Sequence, residues 1–90
     1  HIYDVAEKAY EDDDLATAAG NLLEAIKLND RQAPFHNLLG FVRLKQQDYE
    51  AARQSFSSAL TIDPQYQPAV YGAGLVHYFL HNYPDAVDRF

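Results

Sequence analysis

Two histidines near the end of the 90-residue chain have the spacing of side chains that share a metal ion. His77 and His81 lie four residues apart, so they would project from one face of a helix. The residues between them lack the glutamate of a zinc-protease helix, and Asp85 is the one further candidate ligand nearby. We therefore interpret both as structural or surface histidines and expect no metal site.

The other chemically suggestive segment is the acidic run Glu11-Asp12-Asp13-Asp14. A calcium loop needs alternating ligands, a turn-forming glycine and a distal glutamate, and this pattern is absent. We expect a solvated turn in which Asp14 caps the following helix. A second hypothesis is that the run attracts a basic partner.

The composition excludes several classes of function. The chain has no cysteine, nucleophile elbow, phosphate loop or dinucleotide fingerprint, so we expect neither enzyme activity nor a cofactor. The net charge is −6, and residues 1–32 hold eight acidic against three basic residues. Without a basic patch, nucleic-acid binding is not expected. No apolar run is long enough to span a membrane, and the compartment, cytoplasmic or periplasmic, stays open.

The segments that would hold these residues repeat with a period of 34. Chemically matched residues recur at this distance throughout the chain, which is typical of an array whose units bury their apolar faces by stacking on one another. The matched sets are Ala18, Ala52 and Ala86; Gly40 and Gly74; Ala25 and Ala59; Leu28 and Ile62; Asp14, Asp48 and Asn82; and Leu22, Phe56 and Phe90.

Each period predicts two amphipathic helices, because apolar residues recur at helical spacing and strand-like alternation is absent. Pro34 and Pro68 fall where the first helices begin, a position that tolerates proline. Asp14, Asp48 and Asn82 precede the second helices as predicted caps. The fold class is therefore predicted to be all-α, built from antiparallel helix pairs.

Small residues explain how the paired helices approach each other. Gly40 and Gly74, with Ala6 at the same register, lie on the first helices, and Ala18, Ala52 and Ala86 lie on the second. The large residues Leu22, Phe56 and Phe90 are predicted to fill the adjoining groove. Glycine inside a helix costs about 1 kcal/mol relative to alanine, so two glycines at one register suggest a packing role.

The middle unit resembles the tetratricopeptide repeat family. It contains His36-x2-Leu39-Gly40-x2-Arg43, then Ala52-x3-Phe56, then Pro64, against the family pattern Trp-x2-Leu-Gly-x2-Tyr, Ala-x3-Phe and Pro. The family's inter-helix glycine is replaced by Asp13, Gln47 and His81. The resemblance implies one domain over residues 1–90, an α-α superhelix of about 2.7 units at 1–32, 33–66 and 67–90, with the last unit truncated. We expect this to be a fragment of a longer protein.

By resemblance, the first helix of each unit lines a concave groove. The side chains placed there are Tyr3, Glu7, Tyr10 and Glu11; Asn37, Phe41, Leu44 and Lys45; and Tyr71, Leu75, Tyr78 and Phe79. Their aromatic rings would grip a peptide or a partner helix, although several of them could instead be inter-repeat core. The carboxylate clamp known in the family is not expected, because its positions here hold Tyr3, Glu7, Leu38, Pro68 and Gly72.

The predicted function is protein–protein interaction, with a protein or peptide ligand in the groove. The alternative is a structural spacer or oligomerisation element. Residues 34–40 and the repeat that follows are also similar to C-terminal repeat tails of bacterial metalloproteases. Self-association is a further hypothesis, through a C-terminal edge that carries Val70, Ala73, Leu75 and Phe90.

Overall fold

A computed structural model of the chain describes residues 2–82, which form five α-helices. They are α1 (Ile2–Glu11), α2 (Leu15–Leu28), α3 (Ala33–Lys45), α4 (Tyr49–Ile62) and α5 (Gln67–Asn82). No strand occurs within this range, so the predicted all-α fold of helix pairs is confirmed. The predictions for Asp85, Ala86 and Phe90 lie outside the described residues.

Short-range chemistry sets the helix boundaries. Pro34 lies in the first turn of α3, and α4 ends just before Asp63-Pro64, where the residue preceding a proline disfavours helix. Asp14 and Asp48 are the N-caps of α2 and α4, as predicted, and their carboxylates accept hydrogen bonds from the backbone N–H of Thr17 and Ala51.

The helix that Asn82 is predicted to cap falls in residues 83–90, outside the described part of the chain, so the prediction stays open. Asn82 is the last residue of α5, and its side-chain amide donates a 2.8 Å hydrogen bond to the carbonyl of Tyr78. Helix α5 includes His81. The residues at the same register in the first two units, Asp13 and Gln47, instead reverse the chain in a left-handed conformation.

The turns after α1 and α3 share one hydrogen-bonding pattern. Asp13 (φ 65°) and Gln47 (φ 64°) occupy the left-handed position that usually holds glycine. The N–H of the next residue reaches back five residues in each case, from Asp14 to Ala9 and from Asp48 to Arg43. These are Schellman motifs, so each aspartate closes one helix with its backbone and caps the next with its side chain.

The core consists of two clusters that follow the repeat. Ala18 and Ala52 are fully buried, as are Leu22 and Phe56, so the members of each repeat-related pair are buried alike. The first cluster joins α1, α2 and α3, and the second joins α3, α4 and α5. Ala25 and Ala59 are likewise buried.

The glycines only partly follow the prediction. A β-carbon on Gly40 would lie 2.6 Å from Cε1 of Phe56, which supports the packing role proposed for it. Gly74 has no described atom within 4 Å of the corresponding position, and Gly72 instead packs on Phe56. The reason is topological, because α5 meets Phe56 across the interface between units, whereas Phe90, the repeat counterpart of Phe56, lies outside the described residues.

Candidate binding surface

The odd-numbered helices form one continuous layer. Helix α3 contacts both α1 and α5, whereas no Cα atom of α2 lies within 8 Å of one in α4. Helix α3 thus lies closer to α1 and to α5 than α2 lies to α4. The described array therefore curves toward the odd-numbered helices. We call the exposed side of this layer the concave surface.

On α1, the predicted groove residue Tyr3 is half-buried rather than free. Its ring stacks on Phe35 of α3, with centroids 5.7 Å apart and an interplanar angle of 26°. Burial raises the pKa of the Tyr3 hydroxyl above its ordinary value, and the negative charge of Glu7 adds to the rise. Tyr3 therefore joins α1 to α3, while Glu7 remains exposed beside it.

Tyr10 and Lys45 connect the first two units. The Nζ atom of Lys45 lies 4.2 Å from the centroid of the Tyr10 ring and 3.6 Å from a carboxylate oxygen of Asp13. A cation over an aromatic face at a largely exposed site stabilises by about 0.5–1 kcal/mol. The exposed ion pair adds little, since solvent screens it.

The middle of the concave surface is largely packed. Phe41 meets Phe56 edge-to-face at 4.9 Å, and Leu44 is half-buried against the second core cluster. Asn37 is only 8% exposed, and its Oδ1 atom has no hydrogen-bond partner among the described residues. A buried acceptor without a donor lowers the stability of the fold, so Asn37 is an unfavourably placed polar residue in this surface.

The freely exposed aromatic rings lie on α5. Tyr71 is 65% exposed and Tyr78 is 55% exposed, while Leu75 between them is half-buried. Phe79 is packed, because its ring stacks on Tyr49 at 5.2 Å with an interplanar angle of 8°. The rings of Tyr78 and Phe79 pack edge-to-face with centroids 5.7 Å apart, which restricts the orientation of Tyr78.

Several contributors escaped the sequence-based prediction. Phe35, Tyr49 and Gly72 each pack on an aromatic side chain of another helix, yet none has a position in the family pattern. A signal for Gly72 existed, since Ala69, Gly72 and Val76 recur at helical spacing and form the buried face of α5. Phe35 and Tyr49 also recur at helical spacing with apolar residues of their own helices, but this spacing does not identify their ring partners, which lie about 30 residues away.

A shallow apolar cavity of about 310 Å³ opens beside Tyr3. It lies where α1 begins, α2 ends and α3 begins. The lining residues are Ile2, Tyr3, Ala25, Leu28, Asn29 and Phe35. Its place between the first two units makes it a gap in inter-repeat packing, at the opposite end of the array from Tyr71 and Tyr78.

The residues with metal-like spacing form no cluster of ligands. The rings of His77 and His81 lie 4.3 Å apart and are exposed. Over residues 2–82, no group of three or more His, Cys, Asp or Glu side chains converges to hold a metal ion. In the acidic run, Asp12 pairs with Lys8 at 3.4 Å, Asp13 pairs with Lys45, and Asp14 caps α2.

Comparisons with known proteins identify the fold. The family model described as Tetratricopeptide repeat matches residues 33–66, the α3–α4 pair. The TPR domain of Arabidopsis OM64 is similar in structure, with a TM-score of 0.86 and 25% sequence identity over 94% of this chain and 70% of that one. No curated protein matches the sequence significantly.

The resemblance predicted from the sequence is therefore confirmed, since residues 33–66 match the tetratricopeptide repeat model and the described helices form a solenoid similar to a TPR domain. The class defined by this fold is a protein–protein interaction module, and the fold is generally non-catalytic. None of the described helices combines the length and apolarity needed to cross a membrane.

Proposed function

We propose that the concave surface binds a peptide or a helix of a partner protein and that the domain performs no catalysis itself. The observation that carries this proposal is the exposure of Tyr71 and Tyr78 on α5. They lie seven residues apart, two helical turns along one face, with Leu75 between them. Tyrosine is enriched among the residues that dominate binding energy, because it offers a large contact area with few rotatable bonds.

The remaining concave residues support this role by shaping the surface. Tyr3, Phe41 and Leu44 are each half-buried, so they present one apolar edge while the rest of the side chain packs inward. A ligand on α5 would therefore continue onto a preformed apolar floor, without first ordering loose side chains. Such preorganisation increases affinity, since little conformational entropy is lost on binding.

A screen of random peptides against the domain tests the proposal. We expect ligands whose affinity falls about 10- to 30-fold in Tyr71→Ala and Tyr78→Ala, the range for losing one interfacial aromatic anchor. Leu23→Ala is the matched control, since Leu23 is 48% exposed on α2, away from the concave layer. Ligands that depend on Leu23 and ignore both tyrosines would overturn the proposal.

Phe41 is a poorer test residue than its position in the groove suggests. It packs edge-to-face on Phe56, so Phe41→Ala would disturb the second core cluster as well as any ligand contact. Loss of binding in that variant is informative only if its thermal unfolding matches that of the parent protein. Tyr71 avoids this ambiguity because its ring is mostly in solvent.

The second candidate function is self-association through the C-terminal edge. Val70 is 45% exposed, and the side of α5 at Gly74 is open among the described residues. A second copy packing there would make the domain a spacer or oligomerisation element. Light scattering across a concentration series tests this: we expect a dimer that Val70→Asp converts to a monomer. A clean monomer at high concentration would contradict it.

A further inference from the structure

We infer that the ligand of the concave surface carries lysine or arginine at one end and large apolar residues at the other. This inference rests on the proposed binding function and specifies the chemistry of the partner. It follows from a difference between the two sides of the surface. Helix α1 presents unpaired carboxylates, and α5 presents uncharged aromatic rings.

The α1 side is acidic because two carboxylates have no cation to neutralise them. Glu7 and Glu11 are exposed, lie one helical turn apart and form no ion pair within residues 2–82. The neighbouring cations are already engaged, Lys8 with Asp12 and Lys45 with Asp13 and Tyr10. The charge of Glu7 adds to the effect of burial in raising the pKa of Tyr3, one helical turn away on α1.

The α5 side is the opposite in character. Gln67–Asn82 contains no aspartate, glutamate, lysine or arginine, and its exposed tyrosine rings are Tyr71 and Tyr78. A ligand segment lying there gains from apolar contact and gains nothing from charge. The two sides together therefore distinguish a ligand with separate basic and apolar parts from one that is uniformly basic or uniformly apolar.

Between the two sides lies Asn37, which points independently to a bound chain. It is more than nine-tenths buried, and its Oδ1 has no hydrogen-bond partner among the described residues. An amide oxygen that lacks a donor matches the N–H groups that an extended peptide presents along its backbone. Because this oxygen is buried in the free domain, the Asn37 side chain would turn toward the groove to hold the ligand backbone, while α1 and α5 select the ligand's side chains.

The separation of the two sides sets the spacing within the ligand. Packed helices lie roughly 8–10 Å apart, so α1 and α5, on either side of α3, are about 16–20 Å apart. An extended chain covers about 3.3 Å per residue. The basic and apolar parts of an extended ligand should therefore be separated by about five residues.

Fluorescence anisotropy with short synthetic peptides tests the inference. The probe carries two lysines, a spacer of five neutral residues, then leucine and phenylalanine, and it is made in both chain directions. The comparison peptides replace the lysines by glutamate or shorten the spacer to one residue. We expect the lysine probe with the long spacer to bind at least about tenfold more tightly than the glutamate peptide at 50 mM NaCl, and less so at 500 mM.

Protein variants identify the source of this preference. Glu7→Gln combined with Glu11→Gln should weaken binding of the lysine probe about three- to tenfold at low salt, with little effect at high salt. The matched control is Glu24→Gln combined with Asp30→Asn, which removes the same charge from exposed positions outside the odd-numbered helices. Equal losses in the two double variants would overturn the inference, as would unchanged affinity in the first.

The outcomes separate this inference from the function on which it rests. If peptides selected from a random library need Tyr71 but show no excess of lysine or arginine, the proposed binding function stands and the inference is wrong. If no peptide of any composition binds, both are wrong. Selection of basic and apolar residues about five positions apart supports both.

Discussion

Phe56 packs so closely on Gly72 that a β-carbon at residue 72 would overlap Cε1 of the ring. The same ring contacts Gly40 on its other flank, so two glycines from different units enclose one fully buried phenylalanine. The contact to Gly40 lies within the α3–α4 pair, and the contact to Gly72 joins α4 to α5. Phe56 is thus one of the side chains that join the second unit to α5, together with the stacked pair Tyr49 and Phe79.

Gly72→Ala should destabilise the protein by roughly 1–3 kcal/mol, because the added methyl group overpacks the ring of Phe56. Gly40→Ala should lower the stability by a similar amount, and Gly40→Leu should lower it further. Gly20→Ala is the matched control, since nothing lies within 4 Å of its β-carbon position, and it should stabilise by about 0.5–1 kcal/mol. Urea unfolding followed by circular dichroism measures all four, and equal effects at Gly20 and Gly72 would contradict the packing.

A smaller side chain at residue 56 should rescue alanine at residue 40. In the first unit, Ala6 and Leu22 occupy the positions of Gly40 and Phe56, and both are fully buried. Gly40→Ala combined with Phe56→Leu should therefore lose less stability than the sum of the two single variants. The double-mutant cycle measures this coupling, and simple additivity would show that the two residues do not compete for space.

Gln47→Gly should stabilise the protein by about 1 kcal/mol. Gln47 is held at a φ of 64°, which is strained for a residue with a β-carbon and free of strain for glycine. Gln46→Gly is the control, because Gln46 has right-handed backbone angles and should gain nothing from glycine. Thermal unfolding compares the two, and a lower melting temperature for Gln47→Gly would count against the Schellman turn.

Asn37→Leu should stabilise the free domain by about 1 kcal/mol while weakening ligand binding. The substitution replaces a buried amide that lacks a hydrogen-bond partner by an apolar side chain of similar size. Asn37→Asp should destabilise, because it buries a charge in the same place. Chemical unfolding and anisotropy on the same variants separate stability from binding, and a less stable Asn37→Leu would show that the amide is needed for the fold.

Stability should fall at high pH through Tyr3. Its folded-state pKa is raised, mainly by burial and then by Glu7, so the folded protein holds this proton more tightly than the unfolded chain does. The stability that protonated Tyr3 contributes is fully present below the pKa of tyrosine in the unfolded chain, which is near 10. It is lost as the pH rises through the pKa of Tyr3 in the folded protein. Unfolding free energies between pH 9 and 12 should decline less in Tyr3→Phe. Identical declines in the two proteins would contradict this.

The local features of the fold were readable from the chain because they depend on neighbouring residues. Pro34 at a helix start and Asp14 and Asp48 as caps act within one helical turn, so residue type and position suffice to predict them. The period of 34 identified Ala18 with Ala52 and Leu22 with Phe56, and their burial agrees. Asn82, the third predicted cap, is the last residue of α5, and the helix that it would cap lies outside the described residues.

The 34-residue period therefore predicted antiparallel helix pairs in a solenoid and the positions of the core, and the aspartates before the second helices predicted the caps of α2 and α4. Helix packing decided which residues are free to act. The resemblance places both Phe41 and Tyr71 in the groove, yet Phe41 packs on Phe56 and Tyr71 is mostly exposed to solvent. The same holds for Gly72 and for the unpartnered amide of Asn37. Burial depends on atoms contributed by helices distant in sequence. A repeating pattern shows which positions recur, but it does not show which residues contact one another.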